Sequence, residues 1–240
     1  MLIKKVLGLV VTIVLLTSTS VLASMYDLTT AGSSVEIEKG LFYNWLPDNR
    51  TITGTDIFLE IQSSPTEEGV NIDSPLYFNT IFAMPLQLKN IPTVEIDNII
   101  YREFLLDINE PGSIDKAFLS LNQLKIYSVN DTFNIFNDLD TELNTIYSLG
   151  LDTDNNDNWI KLDYNLIGGG GNSIDMFVYI PDSSFVENNE YVYLYSKFGE
   201  NFDSEDGSEK WLTAVPIPST VWIFGAGLIG LVGIRRKIKK

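Results

Sequence analysis

Residues 175–181 read "DMFVYIP" and residues 190–198 read "EYVYLYSKF". Their period decides the fold. In the first, Met176, Val178 and Ile180 alternate with Phe177 and Tyr179; in the second, Val192 and Leu194 alternate with Tyr191, Tyr193 and Tyr195. Successive side chains of a strand point to opposite faces, so both stretches predict strands that are apolar or aromatic on both sides. Four more stretches read the same way: "TDIFLEIQ" at 55–62, "IIYREFLLDI" at 99–108, "LNQLKIYSV" at 121–129 and "NWIKLDYNLI" at 158–167. With turn residues between them and no long helical pattern, these predict an all-β fold, an antiparallel β-sandwich of jelly-roll type.

The 240 residues fit one domain of generous size, and 45% hydrophobic with 12% aromatic residues is enough for a sizeable core. "NEPGSIDKAF" at 109–118 and "IGGGGNSID" at 167–175 read as loops. The glycines Gly168 to Gly171 lack the Lys-Ser/Thr and the helix that a phosphate-cradling loop requires, so they read as a strand connection.

No cysteine and no histidine occurs in the chain. This excludes disulfides, thiolate metal sites, and Ser-His-Asp or Cys-His catalysis within one chain. The formal net charge is −16, and its placement matters more than its total. No acid precedes residue 24 or follows Thr220, so residues 24–219 hold nine basic groups against all 32 acids. Such a body repels nucleic acid and anionic lipid, and no nucleic-acid partner is expected.

The first end, "MLIKKVLGLVVTIVLLTSTSVLAS", places two lysines before an apolar run and then Val21-Leu22-Ala23. That is the form of a signal peptide over residues 1–23, cut by signal peptidase between Ala23 and Ser24. The other end, "VPIPSTVWIFGAGLIGLVGIRRKIKK", is uncharged from Ile217 to Ile234. Eighteen residues at about 1.5 Å per helical residue cover about 27 Å, enough for a thin bilayer. Trp222 suits the outer headgroup region, and Arg235, Arg236 and the three terminal lysines suit the cytoplasmic side. The expected organisation is a signal peptide (1–23), a sandwich body (24–211), a juxtamembrane sorting motif (212–220), a transmembrane helix (221–234, apolar from 217) and a basic tail (235–240).

This tail resembles the PEP-CTERM sorting signal of Gram-negative bacteria, in a variant with Val-Pro-Ile-Pro in place of Pro-Glu-Pro. By that resemblance Val215, Pro216, Ile217, Pro218, Trp222, Arg235 and Arg236 form the motif, with Ile217 at the Glu position. The resemblance implies export by the general secretory route, transient anchoring in the inner membrane, processing by an exosortase, and association with the cell surface or exopolysaccharide. The body, from about Tyr101 to Trp211, also looks like a body type found in PEP-CTERM proteins, with a Gly/Ser run before a strand like "DMFVYIP". That second resemblance names no activity and no cofactor.

Three constellations invite chemistry. "LDTDNNDNWIKLD" offers Asp152, Asp154, Asn156 and Asp157 as oxygen donors for calcium, against the plainer reading of a solvated hairpin turn. Its sixth position is Asp157, where an EF-hand needs glycine. "ENFDSEDGSEKW" groups Asp203, Glu205, Asp206 and Glu209, which read as a solvated loop. Trp45, Trp159, Tyr191, Tyr193 and Tyr195 could stack sugar rings or pack a core. The expectation is a non-enzymatic surface protein; the alternatives are a carbohydrate- or calcium-binding module and a glycosidase using paired carboxylates, the familiar hydrolase class that needs neither histidine nor cysteine.

Overall fold

The structure is a computed structural model of the chain and describes residues 24–47, 51–72, 78–130, 145–150, 158–167, 173–186, 188–205 and 207–215. Three short strands open the fold, β1 (Met25–Asp27), β2 (Ser34–Ile37) and β3 (Gly40–Tyr43). They are followed by β4 (Thr55–Ile61), β5 (Glu67–Val70), β6 (Thr80–Ala83), β7 (Leu86–Gln87) and β8 (Thr93–Ile96). The longer strands β9 (Ile99–Asp107) and β10 (Phe118–Val129) come next. After them stand β11 (Thr145–Leu149), β12 (Trp159–Asp163), β13 (Met176–Pro181), β14 (Tyr191–Phe198) and β15 (Glu209–Ala214). Single 3-10 turns lie at Leu88–Asn90 and Asp182–Ser184.

These strands form two sheets. One runs β1-β12-β10-β14-β5, with β11 also on β10 and β7 on β14; the other runs β2-β3-β13-β9-β15-β4-β6, with β8 on β9. Every pairing is antiparallel except β1 with β12. Within this arrangement β4-β15-β9-β13 faces β5-β14-β10-β12. Numbered along the chain, those eight strands stand in the order of a jelly roll, with consecutive strands mostly changing sheet.

The period-two pattern sets which side chains meet between the sheets. Phe58, Phe104, Leu106, Val178 and Ile180 from one sheet join Leu121, Leu124, Ile126, Ile160, Val192 and Leu194 from the other in one buried cluster. Each large side chain so buried contributes roughly 1.5–3 kcal/mol relative to exposure. Trp211 of β15 lies in the same cluster and donates its indole N–H to Ser196 Oγ of β14, 2.9 Å away. The hydrogen bond fastens one sheet to the other and satisfies a polar atom that burial would otherwise strand.

β10 pairs with β12 through its first half and with β11 through its second, while β14 runs along its other edge. Register shifts between Leu121 and Gln123, against β14, and between Ile126 and Tyr127, against β11, allow one long strand to serve three partners. The two-residue reversals β2–β3 and β8–β9 place Glu38, Lys39, Asp97 and Asn98 at positive φ, the conformation that tight hairpins demand.

The connections β4–β5, β9–β10, β12–β13 and β14–β15 gather at one pole, because Glu209 pairs with Ile61, Lys210 with Asp107, Met176 with Leu106 and Glu67 with Phe198. β15 then runs to the opposite pole. It continues to Ala214, three residues past the boundary expected at Trp211, and the Val215 N–H donates to Gly54 O at 2.9 Å. Among the described residues no helix is long and apolar enough to cross a membrane. The expected span and the expected signal peptide lie outside the described residues.

Candidate functional site

The junction between body and tail is the first candidate. β15 is an inner strand, held by β9 on one side and β4 on the other, with Ala214 opposite Thr55. The chain is therefore clamped until Val215, whose side chain is 39% exposed. Of the expected motif residues, Val215 is placed here. Pro216, Ile217, Pro218, Trp222, Arg235 and Arg236 lie outside the described residues. At the other end of the body Ser24 is tied in: its N–H donates to Asn158 Oδ1 at 3.2 Å and its carbonyl accepts the Trp159 N–H at 3.1 Å. Ala23 lies outside the described residues.

The pole away from this junction collects acids that the sequence did not bring together. Glu67 starts β5, Asp107 ends β9, Glu110 follows it, Asp175 precedes β13 and Glu209 starts β15; all five are buried. Glu67 and Glu209 are hydrogen-bonded to each other. Ser63 N–H donates to Glu67 Oε2 at 3.0 Å, and Asn109 N–H donates to Glu209 Oε1 at 3.3 Å. Burial raises the pKa of both groups, and the adjacent Glu67 and Glu110 push Glu209 further up. Two carboxyls in contact cannot both ionise, so the pair holds one proton well above the ordinary carboxylate range. Asp175, whose Oδ2 accepts the Ile108 N–H at 2.9 Å, is pushed up to about 8, first by burial and then by Asp107 and Asp163.

Glu67 and Glu209 are not spaced as a glycosidase pair. Such enzymes hold their carboxyls about 5–9.5 Å apart to leave room for a sugar carbon or a water, whereas Glu67 and Glu209 touch. Neither of the two cavities described below is lined by them. The "ENFDSEDGSEKW" segment also departs from a uniformly solvated loop. Asp203 and Glu205 are exposed, Glu205 pairing with Lys116, but Glu209 is fully buried because it begins β15 opposite Ile61. Among the described residues no group of three acids is arranged to hold a metal ion. The calcium candidates Asp152, Asp154, Asn156 and Asp157 lie outside the described residues, between β11 and β12.

The aromatic set does not form one platform. Trp45 follows β3 in the sheet opposite β12 and β14, and stacks edge-on against Tyr43. Tyr193 is fully buried, and Tyr195 hydrogen-bonds to Glu68. Trp159 instead joins residues that the sequence did not single out. Its ring lies 5.8 Å from Phe202, which lies 5.9 Å from Phe118, and the Lys161 ammonium sits 3.9 Å from the Phe118 centroid and 4.4 Å from that of Phe202. Phe118, read from the sequence as the end of a loop, in fact opens β10, and Phe202 arrives from the β14–β15 connection, where no period marks it.

Two cavities open at the surface. One of about 300 Å³ lies beside the β2–β3 reversal and is lined by Ile37, Glu38, Lys39, Tyr147, Ser148 and Asn158 among others. The second, of about 310 Å³, is lined by Gln87, Leu88, Lys89, Arg102, Asn189 and Glu190. It lies at the pole where β15 ends.

Compared with known proteins, residues 214–237 match the family described as the PEP-CTERM protein-sorting motif. The chain carries that motif, and the match begins at the last residue of β15. No curated protein and no solved structure matches the chain.

Proposed function

We propose that the chain is an exported cell-envelope protein, anchored for a time by residues 217–234 and then released to the surface or matrix by an exosortase acting in the Val215–Pro218 region. The observation that carries this reading is the sorting motif beginning where the last strand ends. The folded body is clamped through Val215, and Pro216 and Pro218 follow at once in the sequence, residues that disfavour a helix and so suit a stretch to be bound by a membrane-embedded processing enzyme. Val-Pro-Ile-Pro takes the place of the family's Pro-Glu-Pro in this reading.

Signal peptidase cuts between Ala23 and Ser24, so that the mature body begins at the residue which bonds Asn158. The body is non-enzymatic and associates with exopolysaccharide. A second reading, a carbohydrate- or calcium-binding sandwich, is favoured by Trp159, Phe202 and Lys161 lying together on a strand face. Removing residues 216–240 tests the main reading. The shortened protein is expected to leave the envelope fraction while its body stays folded, since Val215 keeps its bond to Gly54. A shortened protein that remains in the envelope in folded form contradicts it.

A further inference from the structure

Arg102 is the sole arginine among the described residues of a strongly acidic body. On β9 it shares the inward face with Phe104 and Leu106, which places it at the mouth of the sandwich near the end of β15. Three of its five N–H groups are committed. Nε donates to Asp182 Oδ1 at 2.6 Å, and Nη1 donates to Leu88 O at 3.0 Å and Ile91 O at 2.8 Å. These bonds fix the guanidinium plane between the two 3-10 turns. Among the described residues the two Nη2 hydrogens have no protein acceptor, and the Arg102 side chain stays 17% exposed.

The cavity of about 310 Å³ that Arg102 lines is also lined by Lys89, which is exposed and forms no ion pair among the described residues. Asn189 donates its amide to Ser128 O and keeps its carbonyl oxygen. Gln87 and the exposed Glu190 add further hydroxyl acceptors. The volume falls at the lower end of small-molecule sites, the size of one sugar ring.

We propose that this cavity binds an acidic saccharide through its carboxylate, with Arg102 Nη2 and Lys89 Nζ on the carboxylate and Glu190, Asn189 and Gln87 on the ring hydroxyls. With Nε and Nη1 committed, Nη2 offers its two hydrogens in a fixed plane, a charge-assisted donor already oriented toward a carboxylate oxygen. Glu190 and Asp182 disfavour a dianion such as phosphate, so selection rests on directional donors rather than on net positive charge. This deepens the matrix association proposed above and rests on it for its biological setting. Binding is measured on purified chain and tail processing in cells, so either can fail without the other.

The test is titration of the full-length chain in detergent with D-galacturonate, D-galactose, acetate and inorganic phosphate. Galacturonate is expected to bind, with galactose, acetate and phosphate each at least roughly ten-fold weaker. Arg102→Lys, which cannot hold Asp182 and both carbonyls with donors to spare, is expected to weaken galacturonate by roughly ten-fold or more. Because Arg102 also joins two turns, Lys89→Ala is the companion variant: it is expected to weaken galacturonate several-fold with unchanged thermal unfolding. No binding of galacturonate at millimolar concentration, equal binding of galactose, acetate or phosphate, or wild-type affinity in Lys89→Ala overturns the proposal.

Discussion

Asp175→Asn is expected to make the body more stable at alkaline pH and to flatten its response to pH. Asp175 is 5% exposed, accepts one hydrogen bond among the described residues, from the Ile108 N–H, and faces the acids Asp107 and Asp163. Its pKa is pushed up from 3.8 to about 8. An acid with a raised native pKa keeps its proton in the folded state at pH values where the unfolded chain has released it. Its contribution is therefore fully favourable below about pH 4 and is lost progressively as pH rises, levelling off above about 8. One pKa unit corresponds to about 1.36 kcal/mol, so raising pH from 5.5 to 8 costs the wild type about 3 kcal/mol through this residue alone.

Asparagine is neutral throughout, has nearly the same shape, and its Oδ1 still accepts the Ile108 N–H. Equilibrium urea unfolding of residues 24–215, wild type and variant, at pH 5.5 and pH 8 isolates this contribution. The difference between variant and wild type is expected to shift by about 3 kcal/mol in the variant's favour across that interval. A shift under about 0.5 kcal/mol means that Asp175 ionises as freely in the fold as out of it and contradicts a raised pKa there.

Glu67→Gln and Glu209→Gln are each expected to reduce the loss of stability as pH rises past the ordinary carboxylate range, since either removes one of two carboxyls that must share a proton. The double variant is expected to fall short of the sum by about 1–3 kcal/mol, measured by the same unfolding at pH 8, and strict additivity contradicts a shared proton. Asn71→Leu removes a fully buried amide that donates to Met84 O and Val192 O and accepts the Leu194 N–H at 2.6 Å. It is expected to cost roughly 2–4 kcal/mol by urea unfolding, because three backbone groups lose their partner. A cost under about 0.5 kcal/mol means water reaches them instead.

How far the chain announces itself varies with the length of its elements. β9, β10, β13 and β14 have six to twelve residues, so the alternation of a strand shows in them, as it does in β4. β2, β3, β5, β6 and β8 have four residues each, too few for a period to separate from chance. The β2–β3 reversal hides itself further, because Glu38 and Lys39 occupy the left-handed positions where glycine, asparagine or aspartate would have signalled a turn. β15 went unseen because "EKWLTA" begins with two charges, yet Glu209 is buried and Trp211 is the anchor between the sheets.

The sorting motif was legible because its signal is local: two prolines, an apolar run and a basic end, in order along the chain. The acid pole and the Arg102 cavity were not, because their key pairs, Arg102 with Asp182 and Glu67 with Glu209, are roughly eighty and one hundred and forty residues apart. Glu67 and Glu209 meet only once β5 and β15 are placed, and Arg102 meets Asp182 only through the pairing of β9 with β13. Nothing local to Arg102 marks it, since charged residues on strands are ordinary. Its meaning comes from the two carbonyls and the carboxylate that two other segments bring to it.

The most direct test of the central claim is the intact mass of the mature protein, taken from envelope and medium fractions of cells with and without the exosortase. The account predicts loss of residues 1–23 in both strains and loss of the segment beyond the Pro216–Pro218 region only where the enzyme is present. A tail retained in both strains, or removed equally in both, contradicts it.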